Sequence, residues 1–300
     1  MAKKQATHHS GLQRRQTRTA FMLLTPTLLI LGVLTLAPLI YMFVISLFVF
    51  NLKKGPMPTK FIGLQNYLNV FADATFWDRV LTTTVYTVIS VTLTIVIGLA
   101  IALLLQKPTK THAWMKTFLI FPYCISSAVK GYLWKFMLQS GGLLDKVLCF
   151  IFPFAAGYNW MSNRWIATFF LATTEIWGWS TMIALMFLGS LGNISRSIFE
   201  AAALDGATNS QLFWNITLPL MKPIIATTTI MKIIFSLKMF DTVVTMTGGG
   251  PGDATQTVNY YIYNQAFKFS NMGYGAALSM VVVVIVAIIV SFYIKRSRKE

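Results

Sequence analysis

The chain has 300 residues, 55% of them hydrophobic and only 11% charged, with a mean hydropathy of +0.63. Those values exclude an ordinary soluble globular domain. A formal charge of +16 would suit nucleic acid, but the basic residues cluster beside apolar runs, which points to a lipid bilayer instead.

In chain order, residues 1–19 form a basic, polar tail carrying Lys3, Lys4, Arg14, Arg15 and Arg18. The apolar run Phe21–Phe50 is too long for a signal-peptide core and lacks a small-residue cleavage site. It is therefore expected to be an uncleaved first span, kinked at Pro26 or Pro38. Residues 20–79 take in this span and an outer loop. The second span is expected at about Leu81 to Leu105, and a third at about Thr117 to Leu138 with a kink at Pro122. Val147–Ala156 is apolar but too short to cross, and Pro153 breaks it, so it should lie in the membrane interface. The fourth span covers about Trp165 to Leu191, the fifth about Ile224 to Met246, and the sixth Gly273 to Ile294. Gly248-Gly249-Gly250-Pro251-Gly252 breaks the chain after the fifth. Residues 80–294 thus form a core, and 295–300 a second basic tail. Cys124 and Cys149 show no metal or redox spacing, no metal-ligand cluster stands out, and no nucleophile–base set suggests a catalytic residue.

Between the fourth and fifth spans lies a polar loop, residues 193–223. Ser197 and Glu200 have capping-box spacing, Ala201, Ala202, Ala203 and Leu204 propagate a helix, and Gly206 suits its left-handed closing residue. Thr208 and Gln211 repeat the box, so a second short helix is expected over Asn209–Thr217, stopped by Pro219 and Pro223. Phe199, Leu204, Leu212, Phe213 and Trp214 are left available to dock.

Six spans place both termini on one side, and lysine and arginine choose it. Lys3, Lys4, Arg14, Arg15, Arg18, Lys107, Lys110, Lys116, Arg196, Lys222, Lys295, Arg296, Arg298 and Lys299 share the side of the tails and the polar loop. Lys53, Lys54, Lys60, Arg79, Lys146, Arg164 and Lys268 lie opposite. The bias puts both tails and the loop in the cytoplasm. The fold class expected is an all-α polytopic membrane protein of six transmembrane helices, with a cytoplasmic helical loop between spans four and five.

The loop also carries a pattern. Glu200-Ala201-Ala202, Gly206 and Ile216-Thr217-Leu218-Pro219 resemble the EAA coupling loop of bacterial ABC-importer permeases at every fixed position. Gly63-Leu64-Gln65-Asn66-Tyr67 with Asp73 and Phe76 resembles the segment before the core of sugar permeases. Phe240-Asp241, the glycine run, Thr255, Tyr260, Tyr263, Ala266-Phe267 and Tyr274-Gly275 are similar to the end of maltose-type carbohydrate permeases. Lys130 and Lys232 depart from that pattern, standing where uncharged residues are expected.

The resemblance implies a permease subunit in a bacterial cytoplasmic membrane. It would pair with a second, distinct permease, two ATP-binding subunits and an extracytoplasmic solute-binding protein. The ATPase-coupling residues would be Glu200, Ala201, Ala202, Asp205, Gly206, Ile216, Leu218 and Pro219. The chain has no P-loop, so ATP and magnesium would be bound by the partners and the chain itself would need no cofactor. Nucleic acid is not among the implied partners.

Ionisable residues inside spans are costly and face cavities or one another. Lys238 and Asp241, three apart, can share a helix face and neutralise each other. Lys232 lies ~15 Å along the helix from Lys222 and is open to either a structural or a substrate role, with Glu175 as its possible partner. Tyr123, Trp177, Trp179 and Phe240 either stack on sugar faces or pack in the bundle. The function expected is ATP-driven uptake of a di- or oligosaccharide. An acidic sugar or phosphorylated polyol would explain an unpaired Lys232. A secondary transporter driven by an ion gradient is the further alternative.

Overall fold

The computed structural model describes residues 2–106 and 109–297, so Lys107, Arg298 and Lys299 of the topology argument lie outside the described residues. Helix α1 (Ala2–Ser46) runs through the basic tail and past Pro26 and Pro38 without a break. Each interior proline removes one backbone hydrogen bond, which a helix this long tolerates. The apolar part of α1 leaves almost all its large side chains uncovered, as a lipid-facing helix does.

A short antiparallel pair, β1 (Phe48–Val49) and β2 (Lys60–Phe61), follows, and with the isolated bridge Asn51–Asn271 it is the departure from an all-helical chain among the described residues. Helix α2 (Gln65–Ala72) then delivers Asn66, whose Nδ2 donates to Ser46 O at 2.7 Å and Phe48 O at 3.0 Å. Tyr67 pairs with the Ser46 hydroxyl at 2.7 Å. The sugar-permease segment therefore does structural work, folding the outer loop back on the end of α1.

Asp73 completes that work. It caps α3 (Ala74–Leu105) by accepting from the Thr75 amide, and it accepts the hydroxyls of Tyr261 and Tyr274, each at 2.7 Å. Burial alone would raise the Asp73 carboxyl, but the bonds from Tyr261, Tyr274, Thr75 and Phe76 hold it below the usual carboxylate range. A lowered folded pKa means the stabilisation is present above pH ~4 and is lost as pH falls through the folded value. Asp73→Ala is expected to cost about 3 kcal/mol, from one lost cap and two stranded tyrosine hydroxyls. Unfolding in detergent across pH 3–7 checks it: the variant should also lose the part of the acid sensitivity that Asp73 supplies.

The expected third span is broken. It consists of α4 (Lys110–Leu119), α5 (Phe121–Cys124) and α6 (Ser127–Leu138), with Ile125 extended between the last two. The expected kink near Pro122 is the interruption at Ile120, with Pro122 in the first turn of α5; a second break follows a turn later, where the Ser126 hydroxyl caps α6 by accepting from the Val129 amide. Helix α7 (Leu143–Ile151) is amphipathic. It buries Asp145, whose carboxylate accepts from the Trp160 indole at 2.7 Å, and projects Phe150 outward.

Helix α8 (Arg164–Gly192) packs along α3 in the most extensive interface of the fold. Gly98 lets the two approach, since a Cβ there would meet Ile183 Cγ2 at 2.8 Å. At the α8 start, Arg164 reaches Asp78 at 2.7 Å and the Thr82 hydroxyl at 2.5 Å. The polar loop contains α9 (Arg196–Leu204) and α10 (Asn209–Gln211). A π-helical turn (Leu212–Thr217) joins α10 to α11 (Leu218–Leu237). After a second π-helical turn (Val243–Thr247) come α12 (Val258–Tyr263), a third such turn (Asn264–Lys268) and α13 (Met272–Ser297). Among the described residues five helices are long and apolar enough to cross a membrane: Phe21–Ser46, Ala74–Leu105, Arg164–Gly192, Asn209–Leu237 and Met272–Lys295.

Candidate functional site

Two features stand out, a protruding loop and a cavity. In the loop, α9 starts two residues earlier than expected. Its N-cap is Ser195, so Ser197 lies inside the helix and its hydroxyl meets that of Ser195 at 2.7 Å. Glu200 does not return to a cap; it pairs with Arg196 at 3.0 Å. The Ser197–Glu200 capping box is thus corrected to an exposed i,i+4 ion pair. Gly206 has φ +78, and the Ala207 amide donates to Ala202 O, closing the helix as a left-handed residue does. Thr208 and Gln211 form the reciprocal box.

Pro219 and Pro223 do not stop the second helix, which runs on into α11. The π-helical turn sends the Leu218 amide to Phe213 O and leaves Pro219 in the first turn of α11, where its missing amide costs little. The hairpin is consequently continuous with the span Asn209–Leu237. Leu204 at its tip is 90% exposed and Trp214 is 61% exposed, whereas Ala202, Ile216 and Leu218 are partly covered. Glu200, Ala201, Asp205, Gly206 and Pro219 are exposed.

The cavity has a volume of about 580 Å³ and is lined by Tyr123, Ser126, Ser127, Lys130, Glu175, Trp179, Phe235, Lys238, Phe240, Asp241 and Thr242, among others. Two chain breaks meet there: Ile125 between α5 and α6, and Lys238–Phe240 after α11. Non-helical backbone at membrane depth is tolerated where it lines a hydrated cavity, so both breaks suit this place.

Glu175 accepts from Thr242 Oγ1 at 2.8 Å and stands 3.7 Å from Lys130 Nζ, both side chains almost wholly buried. Its ion-pair partner is therefore Lys130, not Lys232. Lys232 is 1% exposed and does not reach the cavity wall; its Nζ lies 5.1 Å from the Trp179 ring centroid. The expected Lys238–Asp241 pair is absent among the described residues, because α11 ends at Leu237 and the two do not share a helical face. Trp179 packs against Tyr123 at 5.4 Å and Phe235 at 4.7 Å, on the cavity wall. Trp177 faces elsewhere and packs on Trp134 at 6.3 Å. Sequence reasoning missed Ser126 and Ser127, although two serines ahead of an apolar run are a helix-start signal.

A family model described as the inner membrane component of binding-protein-dependent transport systems matches residues 94–298. The chain belongs to that family. It is a multi-pass transport component of the inner membrane and not an enzyme. The sulfoquinovosyl glycerol transport system permease protein SmoG of Agrobacterium fabrum is 34% identical over 283 residues, 94% of this chain and 91% of that one. The lactose transport system permease protein LacF of Rhizobium radiobacter is 31% identical over 299 residues, 98% and 99% of the two chains. The trehalose/maltose transport system permease protein MalF of Thermococcus litoralis is 29% identical over 291 residues, 96% and 97% of the two. Among solved structures, a bacterial ABC transporter that imports the acidic polysaccharide alginate has a chain of similar fold. The TM-score is 0.79 at 18% identity, with 97% of this chain and 99% of that one covered. The permease resemblance drawn from the loop is confirmed at the level of the family.

Proposed function

We propose that the chain is one permease of an ATP-driven importer that takes up a carbohydrate delivered by a solute-binding protein. The observation that carries it is the exposed hairpin with Leu204 at its tip, made continuous by a π-helical turn with a span whose far end borders the cavity. A force applied to such a knob moves one wall of the cavity. The three relatives named above, with sulfoquinovosyl glycerol, lactose and trehalose/maltose in their names, support the carbohydrate class.

In this reading the chain crosses the membrane six times, α4–α6 making the third, interrupted crossing. Both termini and residues 193–223 face the cytoplasm, as the lysine and arginine distribution favours. The chain pairs with a second, distinct permease. Two ATP-binding subunits hold ATP and magnesium and receive the hairpins; their closure draws the hairpins together and alternates access to the cavity. The coupling residues are Glu200, Ala201, Ala202, Asp205, Gly206, Ile216, Leu218 and Pro219, and the substrate wall is Tyr123, Trp179, Phe240 and Glu175.

The test is saccharide uptake by cells carrying the full set of subunits. Substituting the P-loop lysine of the partner ATPase should abolish uptake, and collapsing the proton and sodium gradients at constant ATP should leave it intact. Uptake that survives loss of the ATPase but follows an ion gradient would contradict the proposal and favour a secondary transporter.

A further inference from the structure

Residues 47–72 contain three lysines and no aspartate or glutamate. The orientation proposed above puts them on the outer side of the membrane, where basic residues beside spans are disfavoured. Lys53, Lys54 and Lys60 are exposed, and none has a carboxylate within 4.0 Å among the described residues. The next acidic residue, Asp73, is taken up by Tyr261 and Tyr274. The basic hairpin of β1 and β2 is fixed in place. Leu52 N donates to Ser270 O at 3.0 Å and Asn51 bridges to Asn271, which seats the hairpin on the start of α13.

The helix that follows, α2, has three different sides. One is pinned to the protein through the buried Asn66 and Val70. A second is polar and exposed, with Gln65 Nε2 donating to Asn69 Oδ1 at 3.0 Å. The third is apolar: Leu64, Leu68 and Phe71, spaced i, i+4, i+7, are each more than half uncovered. Trp77, in the first turn of α3, donates its indole N–H to Phe71 O at 2.9 Å, and the two rings are 6.5 Å apart. The apolar stripe is thereby level with the outer end of a membrane-crossing helix, where tryptophan is enriched. An apolar stripe flanked by a polar one at that level is how an interfacial helix lies.

We infer that α2 and the hairpin before it bind anionic phospholipid of the outer leaflet. Leu64, Leu68 and Phe71 enter the boundary between headgroups and acyl chains, and Lys53, Lys54 and Lys60 meet the phosphates. Two observations select lipid over protein as the occupant. Helix α1, which leads into the hairpin, is uncovered along its apolar length, so the lipid-facing surface continues onto this loop. The unpaired lysines beside the stripe complement phosphate in charge. Since Asn66 ties α2 to the end of α1 and Val70 packs with residues of α3 and α13, the contact steadies the outer ends of all three helices. Only the choice of leaflet rests on the orientation proposed above.

The experiment places a bimane label at Leu68→Cys, or at Asn69→Cys on the polar flank, after Cys124→Ser and Cys149→Ser remove the native thiols. The labelled chain, with its co-purifying subunits made cysteine-free, is reconstituted in mixtures of plain and brominated phospholipid. At Leu68→Cys the label should be quenched by brominated acyl chains and shielded from aqueous iodide. At Asn69→Cys iodide should reach it. Brominated phosphatidylglycerol should occupy the Leu68→Cys position ~5-fold or more better than brominated phosphatidylcholine, the ratio one lysine supplies beside an anionic surface. Lys53→Gln, Lys54→Gln and Lys60→Gln together should bring that ratio to ~1, and the elution profile of the complex checks that it still assembles. Iodide quenching at Leu68→Cys without lipid quenching overturns the inference, since the stripe then lies in water. Shielding from both quenchers overturns it too, because a protein partner then covers the stripe. Equal occupancy by the two lipids in wild type, or a ratio unmoved by the triple substitution, overturns the anionic contact.

Discussion

Glu175→Ala is expected to destabilise the chain by about 3–5 kcal/mol, because it leaves the buried Lys130 ammonium without a carboxylate. The Thr242 hydroxyl loses its shorter acceptor as well, keeping the 3.5 Å contact to Ser127 O, and with it goes the tie between α8 and the turn following α11. The double variant Lys130→Met/Glu175→Leu removes both charges at similar volume and should recover most of the loss, since a buried pair gains little over well-packed apolar groups. Chemical unfolding in detergent of the two single variants and the double gives the coupling directly. A Glu175→Ala variant within 1 kcal/mol of wild type would show that the pair does not hold the cavity wall together.

Leu204→Asp is expected to weaken docking of the ATP-binding subunit roughly 30-fold, the loss of about 2 kcal/mol that an apolar interface anchor typically represents. Leu204 is 90% exposed and touches little of its own chain, so folding should be unaffected. Co-purification of the partner ATPase at graded concentration measures the effect, and saccharide uptake should fall with it. Undiminished association would mean that the hairpin tip lies outside the interface.

Local signals read correctly where neighbouring residues decide the backbone. Gly206 at φ +78 and the Thr208–Gln211 box are of this kind, since each depends on atoms within one turn. The Ser197–Glu200 box failed because the helix starts two residues upstream, with Ser195 at the N-cap position and its hydroxyl on Ser197 inside the helix. Pro219 and Pro223 were expected to stop a helix that a π-helical turn carries past them, and no composition rule flags such a turn.

The cavity was the least legible part. Lys130 stood out in the sequence as a departure from the carbohydrate-permease pattern, but its partner Glu175 lies on another helix, and only packing joins them. Lys238 and Asp241 were paired by helical periodicity, which presumes an unbroken helix; the break after Leu237 removes that premise. That break has no glycine or proline to announce it, and the Thr257 and Asn259 side chains that satisfy its carbonyls come from a distant segment. The Ile125 break is better marked, by Pro122 before it and Ser126 and Ser127 after it.

Coupling to a cytoplasmic ATPase requires the hairpin to lie on the inner side of the membrane. With Cys124→Ser and Cys149→Ser removing the native thiols, Ser210→Cys offers one exposed thiol at the second helix of the hairpin. A membrane-impermeant maleimide should label it in inverted vesicles and leave it unlabelled in intact spheroplasts. Labelling in intact spheroplasts would put the hairpin outside, beyond the reach of a cytoplasmic ATPase, and would contradict its role as the coupling element.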